Sequence, residues 1–263
     1  MEIVLENVKQ NDWELTTTLS SNDMIGITGP EYEELLNILT LKKLPEGKIT
    51  IDNQELTPEN YLEFYKKISI IEKQFKKMPY LNTIKDHMDY IINYYHLQIK
   101  NIDKKEHDSL KIVGLDTNML DRNITTLSKS EQKKVQIAMS LLSNPDILIF
   151  DDLFQYLDNK SRKKIIMVLT KLKEQYHKLI IIGSNNADML YQYTTKMLFV
   201  KNKRIFLEGA TEETYERVDY IKRNGYKVPE IVQFTYKAIK KKKVKIDYHK
   251  DIRDIIKDIY KHV

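Results

Sequence analysis

The sequence contains no cysteine, which excludes disulfides and thiolate metal sites and fits a reducing compartment. No stretch approaches the ~18 apolar residues of a membrane-spanning helix, and Met1-Glu2-Ile3-Val4 is expected to begin a strand, not a signal peptide. A strong excess of one charge is also missing. The 43 basic residues stand against 38 acidic ones, a mixed surface that gives no argument for nucleic-acid binding. His87, His96, His107, His177, His249 and His262 show no metal-ligand spacing. Only 7 glycines occur in 263 residues, a shortage that matters because glycine lets backbone N–H groups close around phosphate. What is present is ordinary for a globular chain: 41% hydrophobic and 31% charged residues, enough for one large domain with or without an appendage.

Hydrophobic patterning predicts short strands at 2–8, 13–19 and 24–28, with Asn-Asp turns at 11–12 and 22–23. A helix is expected over 31–43, strands at 47–52 and 68–71, and a loop from Gln74 to Tyr80. Residues 83–121 read as helical. Beyond them come a helix at 128–143, a strand at 147–150, a helix at 159–175, and strands at 179–182 and 197–200. Ile147-Leu148-Ile149-Phe150 and Leu179-Ile180-Ile181-Ile182 are continuous apolar runs, as strands of a parallel sheet covered on both faces require. After about Gly209 the chain turns to charged helical segments broken at Gly225 and Pro229.

The strand Met24–Thr28 runs through Gly29 into a helix, the layout of a nucleoside-triphosphate site. A working loop of that kind reads G-x-x-x-x-G-K-[ST]. Its backbone N–H groups cradle the phosphates, its lysine reaches their outer oxygens, and its hydroxyl holds Mg²⁺. Here Gly29 is followed by Pro30-Glu31-Tyr32-Glu33-Glu34-Leu35-Leu36, with no second glycine, lysine or hydroxyl. Three carboxylates are expected at the positive end of the helix dipole, where a phosphate would sit. A proline and acids in a first turn also describe an ordinary capped helix.

Four further segments fall in one order. Leu127-Ser128-Lys129-Ser130-Glu131-Gln132 opens a helix, and a strand ends in Asp151-Asp152. Leu157-Asp158 follows, and a second strand ends in Gly183-Ser184-Asn185-Asn186. This order resembles the ATP-binding subunits of ABC transporters: signature helix, Walker B strand, D-loop and switch loop. The resemblance covers essentially the whole chain. It implies an α/β fold of the P-loop NTPase type, with a mostly parallel sheet, N-terminal antiparallel strands and a helical subdomain at about 80–143. It also implies ATP and Mg²⁺ as cofactors. By position Asp151 would orient Mg²⁺, Asp152 would stand for the catalytic carboxylate, and Asn185 would stand for the switch histidine. Gln74, or Lys73 one register away, would be the Q-loop residue. Gly29 would approach the chain's own nucleotide, while Ser128 and Asp158 would face the nucleotide of a partner subunit. The departures are the missing phosphate loop, Lys129 and Ser130 in place of the signature glycines, Asp152 shorter by one methylene, and Asn185 without an imidazole. Asp151-Asp152 also reads as a solvated strand end, Ser128 as a plain helix cap completed by Glu131, and Asn185 as a loop residue. The adenine-stacking aromatic is not evident, and Trp13 is expected to face the core.

The stretch Tyr220–Gln233, followed by Ala238-Ile239 and a lysine run, is similar to the tail of energy-coupling-factor (ECF) transporter ATPases. That resemblance implies residues 1–210 as the nucleotide-binding domain and 211–263 as a small helical appendage that helps pair two ATPase subunits. The lysines 240–243 and 245 read as a solvated helix end, with anionic lipid or nucleic acid as the alternative. The expectation is a cytoplasmic, membrane-peripheral subunit of an ECF-type vitamin or metal importer. It would pair with a second ATPase, in a heterodimer rather than a homodimer, and dock a membrane-embedded coupling subunit through a groove near Met78 to Ile84. No nucleic-acid partner is expected. ATPase activity of the isolated chain is expected to be weak or nil. The alternatives are a working ATPase with atypical motifs, or a structural or regulatory module without a membrane partner.

Overall fold

The computed structural model describes residues 1–242 and 246–261. Lys243 and Lys245 of the basic run, and His262, lie outside them. The chain runs β1 (Glu2–Gln10), β2 (Trp13–Ser20), β3 (Met24–Thr28), α1 (Tyr32–Leu39), β4 (Glu46–Ile51), β5 (Gln54–Glu55), α2 (Tyr61–Tyr65) and β6 (Ile68–Ile71). Then follow α3 (Ile84–Tyr94), α4 (Ile102–Val113), α5 (Lys129–Leu142), β7 (Ile147–Asp151), α6 (Asn159–Tyr176), β8 (Leu179–Gly183) and α7 (Ala187–Tyr193). The hairpin β9 (Lys196–Lys201) and β10 (Arg204–Ala210) leads to α8 (Thr211–Glu216), α9 (Val218–Arg223), α10 (Glu230–Lys242) and α11 (Ile252–Lys261).

Two sheets form. One is antiparallel in the order β2-β1-β4-β5; the other has six strands in the order β10-β9-β3-β8-β7-β6, parallel except for β10 at its edge. The strand period of two divides the larger sheet's side chains between two cores. Ile25, Ile27, Ile149, Ile181 and Leu198 face α1 and the antiparallel sheet. Met24, Phe150, Ile180, Ile182 and Phe199 face the helices α3 to α6. Both faces are covered, which is why these strands read as unbroken apolar runs.

The last helices are joined to the second of these cores, since Tyr215, Val218, Ile221, Val228 and Val232 are buried within it. The first helix is shorter than the expected 31–43, ending at Leu39 with Leu41 in a left-handed conformation at φ 54°. The region 83–121 is two helices and a 3-10 turn, separated by the loop that follows Tyr94. Sequence reasoning missed β10, although Asn202-Lys203, both at positive φ, supply the tight turn that makes the β9–β10 hairpin.

Candidate functional site

The C-terminal edge of the parallel sheet gathers the ends of β3, β7 and β8, where ligands of open α/β sheets bind. Only Gly29, Pro30 and Glu31 separate the end of β3 from the start of α1. The phosphate-cradling motif places four residues between its glycines before the lysine that enters the helix, so this loop is too short to encircle a phosphate. Gly29 has φ 139°, and a Cβ there would fall 2.0 Å from the carbonyl oxygen of Val200. The loop is pressed onto β9 at Gly29, a position that tolerates no side chain.

The polar groups at this junction bond to one another. The Gly29 N–H donates to Asn185 Oδ1 at 3.0 Å, and Thr28 Oγ1 donates to the same oxygen at 3.1 Å. Tyr32 is buried with its ring over Gly183, where an added Cβ would meet ring carbons at 2.6 Å. Its hydroxyl donates to Asp151 Oδ1 at 3.0 Å and lies 3.3 Å from Glu33 Oε1. Burial first, then the Asp151 charge, pushes the phenol far above its ordinary range, so it stays a neutral donor. Burial also raises the Asp151 carboxyl, and the Tyr32 hydrogen bond opposes that rise.

The three expected carboxylates do stand at the start of α1, with Glu31 at its N-cap and Glu33 and Glu34 in its first turn, and two of them have partners. Glu34 turns back to accept the indole N–H of Trp13 at 3.1 Å, and Glu33 sits 3.6 Å from the Lys73 ammonium. The Tyr32 ring packs on Gly183 beside them, with its hydroxyl between Asp151 and Glu33. Trp13 is buried, as expected of a core-facing strand residue.

Asp152 follows β7 in a left-handed conformation at φ 50°, which a short polar side chain tolerates. Its N–H donates to Gly183 O at 2.8 Å, and its Oδ1 accepts the Ser184 hydroxyl at 3.0 Å. Asp152, Ser184 and Asn185 line one wall of a cleft of about 650 Å³, and Arg162, Tyr226 and Lys227 line other parts of it. Gly29, Asp151, Asp152 and Asn185 are therefore brought together at one sheet edge. Gln74 is not tied to them: it is exposed, and only its backbone carbonyl is engaged, by Gln136 Nε2 at 3.3 Å.

Ser128 and Asp158 are helix caps. Ser128 receives the Glu131 N–H at 3.3 Å and returns its own N–H and hydroxyl to Glu131 Oε2 at 2.8 Å each, completing the expected capping box. Asp158 accepts the Ser161 N–H at 2.7 Å, and that bond holds its carboxyl below the ordinary range. Ser128's donors and acceptor are all used within its own helix turn.

Sequence reasoning missed Tyr32 and Lys133. Lys133 is buried, and its ammonium donates to the carbonyls of Glu72 at 2.8 Å and Asp151 at 3.4 Å, tying the ends of β6 and β7 to α5. Burial depresses its pKa to about 8, against the opposing pull of Asp151 and Asp152. The signal was a lysine four residues before Ile137, on the buried face of its helix. Magnesium nucleotide does not fit these residues. Asp151 Oδ1 accepts the Tyr32 hydroxyl, the Gly29 N–H is given to Asn185, and among the described residues no group of three His, Asp or Glu side chains could hold a metal ion.

Comparison with known proteins gives the frame for this site. The ABC transporter family model matches residues 14–155, more than half of the chain. The energy-coupling factor transporter ATP-binding protein EcfA2 of Enterococcus faecalis is 24% identical over 223 residues, covering 83% of this chain and 77% of that protein. A putative ABC transporter ATP-binding protein of Pyrococcus furiosus is 27% identical over 225 residues, covering 83% and 81%. Among solved structures, cbiO1 of Clostridium perfringens, described as part of the ABC transporter complex cbiONQ, superposes with a TM-score of 0.71. It is 20% identical, and the match covers 89% of this chain and 98% of that one, a likeness of fold.

Proposed function

The chain belongs to the ABC transporter family and is related to the ATPases of energy-coupling-factor transporters, and on that premise we propose that it is a subunit whose own nucleotide site is closed by its own side chains. The family generally binds ATP and Mg²⁺. The observation that carries the proposal is the pair of contacts Tyr32–Asp151 and Asn185–Gly29 across a three-residue loop. A nucleotide would have to break both, lift a buried ring and do without the lysine that supplies electrostatic stabilisation in phosphoryl transfer. The subunit then acts through assembly. It pairs with a second, catalytically intact ATPase and docks a membrane-embedded coupling subunit of an importer, as a peripheral protein on the cytoplasmic face.

Two surfaces support that role. Tyr80, in the segment before α3, is almost fully exposed. On α11 the exposed Ile252, Ile256 and Tyr260 recur every four residues, and Phe234 on α10 is exposed as well. Phe234 and Ile252 line one shared depression, an apolar surface of the kind subunit interfaces bury. No described helix is long and apolar enough to cross a membrane. Because Ile221, Val228 and Val232 are part of the main core, removing the whole tail would uncover apolar surface, and point changes are the cleaner probe. Phe234→Asp with Ile256→Asp is expected to abolish pairing with the partner ATPase while leaving a folded monomer, read by size-exclusion chromatography with light scattering. In the reconstituted complex, Asp152→Asn is expected to leave ATP turnover nearly unchanged, whereas the matching change in the intact partner removes most of it. Loss of turnover on Asp152→Asn would establish a working ATPase instead.

A further inference from the structure

At the opposite edge of the parallel sheet from Asp151, the residues that lead into β7 open onto a groove bounded by α4, α5 and α6. Its volume is about 400 Å³, within the range of small-molecule sites. Ile112 of α4, Leu141 of α5, Leu148 of β7, and Val168 and Leu172 of α6 make it apolar, and the Tyr176 ring stands at its margin. Ile112 and Tyr176 are 42% and 58% exposed, so apolar surface is left open to water where the surrounding helices could have covered it.

The charged side chains that line this trough are all cationic. Lys105, Lys171 and Lys178 line it and no acidic side chain does. Lys178 is already neutralised, 2.8 Å from the Asp146 carboxylate. Among the described residues no carboxylate lies within ion-pair distance of Lys105 or Lys171. An apolar trough with two unpaired ammonium groups matches a molecule with an alkyl body and an anionic head. The alkyl chain is driven in by area removed from water and the head is held by charge at the rim.

We propose that this groove is a binding site for a single-chain anionic amphiphile, of the class of medium-length alkyl carboxylates. It uses neither Tyr32, Asp151 nor Asn185, and stands whether or not the nucleotide site is closed. The volume limits the ligand to one chain, which argues against a two-chain lipid as the occupant. Cations on α4 and α6 lie on either side of the groove, so an occupied head would bridge the two helices.

The test is calorimetry of the full chain with sodium octanoate, decanoate and dodecanoate below their micelle-forming concentrations. Affinity is expected to rise roughly fourfold per added methylene, the equivalent of about 0.8 kcal/mol, and to level off once the groove is full. Lys105→Glu with Lys171→Glu should weaken decanoate binding by about tenfold or more, and 1-decanol should bind more weakly than decanoate. Ile112→Asp, at an exposed helix position, should abolish binding without altering the far-ultraviolet circular dichroism. The proposal is overturned by an absence of saturable decanoate binding, or by affinity that survives both sets of substitutions. Capture by phosphatidylglycerol vesicles with no decanoate binding would equally overturn it, in favour of a membrane surface.

Discussion

The β3–α1 junction and the segment from Ser128 to Asp158 meet the same family pattern with opposite outcomes. At the junction the sequence departs from that pattern: the loop is three residues long, and a buried tyrosine stands over Gly183. In the later segment, Ser128 and Asp158 each cap the start of their own helix. The difference shows which residues a fold needs without its ligand. A helix cap satisfies orphan N–H groups in any state of the protein. A phosphate-binding lysine has no structural partner once phosphate is absent, and in its place the chain supplies internal donors and acceptors.

The largest expected effect lies at the one junction glycine that still has a structural task. Gly29→Ala places a Cβ against the Val200 carbonyl and a side chain at φ 139°, and should destabilise the fold by about 3 kcal/mol or more in urea unfolding. A loss as small as that of a surface change would remove the contrast, because the loop would then be free to rebuild around phosphate.

Next in size is the pH dependence contributed by Lys133. Its folded pKa of about 8 lies below its ordinary 10.5. Between these values the unfolded chain still binds a proton that the folded chain has released, so stability rises with pH across that window. The full gain is about 3 kcal/mol, read as the difference between the wild-type and Lys133→Met stability curves. A flat difference curve would show that the ammonium is not buried between β6 and β7.

Tyr32→Phe removes the donor to Asp151 and should cost about 2 kcal/mol at neutral pH, as for hydrogen bonds to charged groups. It should not restore nucleotide binding, since the loop stays short. The smallest effect belongs to the caps. Ser128→Ala should cost about 1 kcal/mol, and Asp158→Ala a measurable amount that Asp158→Asn recovers. If either abolished the activity of an assembled complex without changing stability, the cap would also serve the partner's nucleotide.

The parallel strands of the larger sheet were legible because β7 and β8 are continuous apolar runs, its antiparallel edge strand β10 was not, and α5 was legible because Ser128 and Glu131 announce its start. The loss of phosphate-binding residues after Gly29 could also be read directly. What filled the vacancy could not. Tyr32 looked like a first-turn residue, and its burial depends on Gly183 and Asp151, more than a hundred positions away. The three acids at the start of α1 could be read from the sequence, whereas the partners Trp13 for Glu34 and Lys73 for Glu33 are tertiary contacts that it does not display. Asn185 could be placed by the family pattern, but its bond to the Gly29 N–H joins two loops 156 positions apart.

The central claim is that the chain's own side chains occupy its nucleotide site, and calorimetry of the isolated full-length protein with Mg·ATP tests it most directly. The account predicts no saturable heat up to millimolar nucleotide for the wild-type chain and for Tyr32→Phe alike. A micromolar dissociation constant for the wild-type chain, lost on Asp151→Asn, would contradict it.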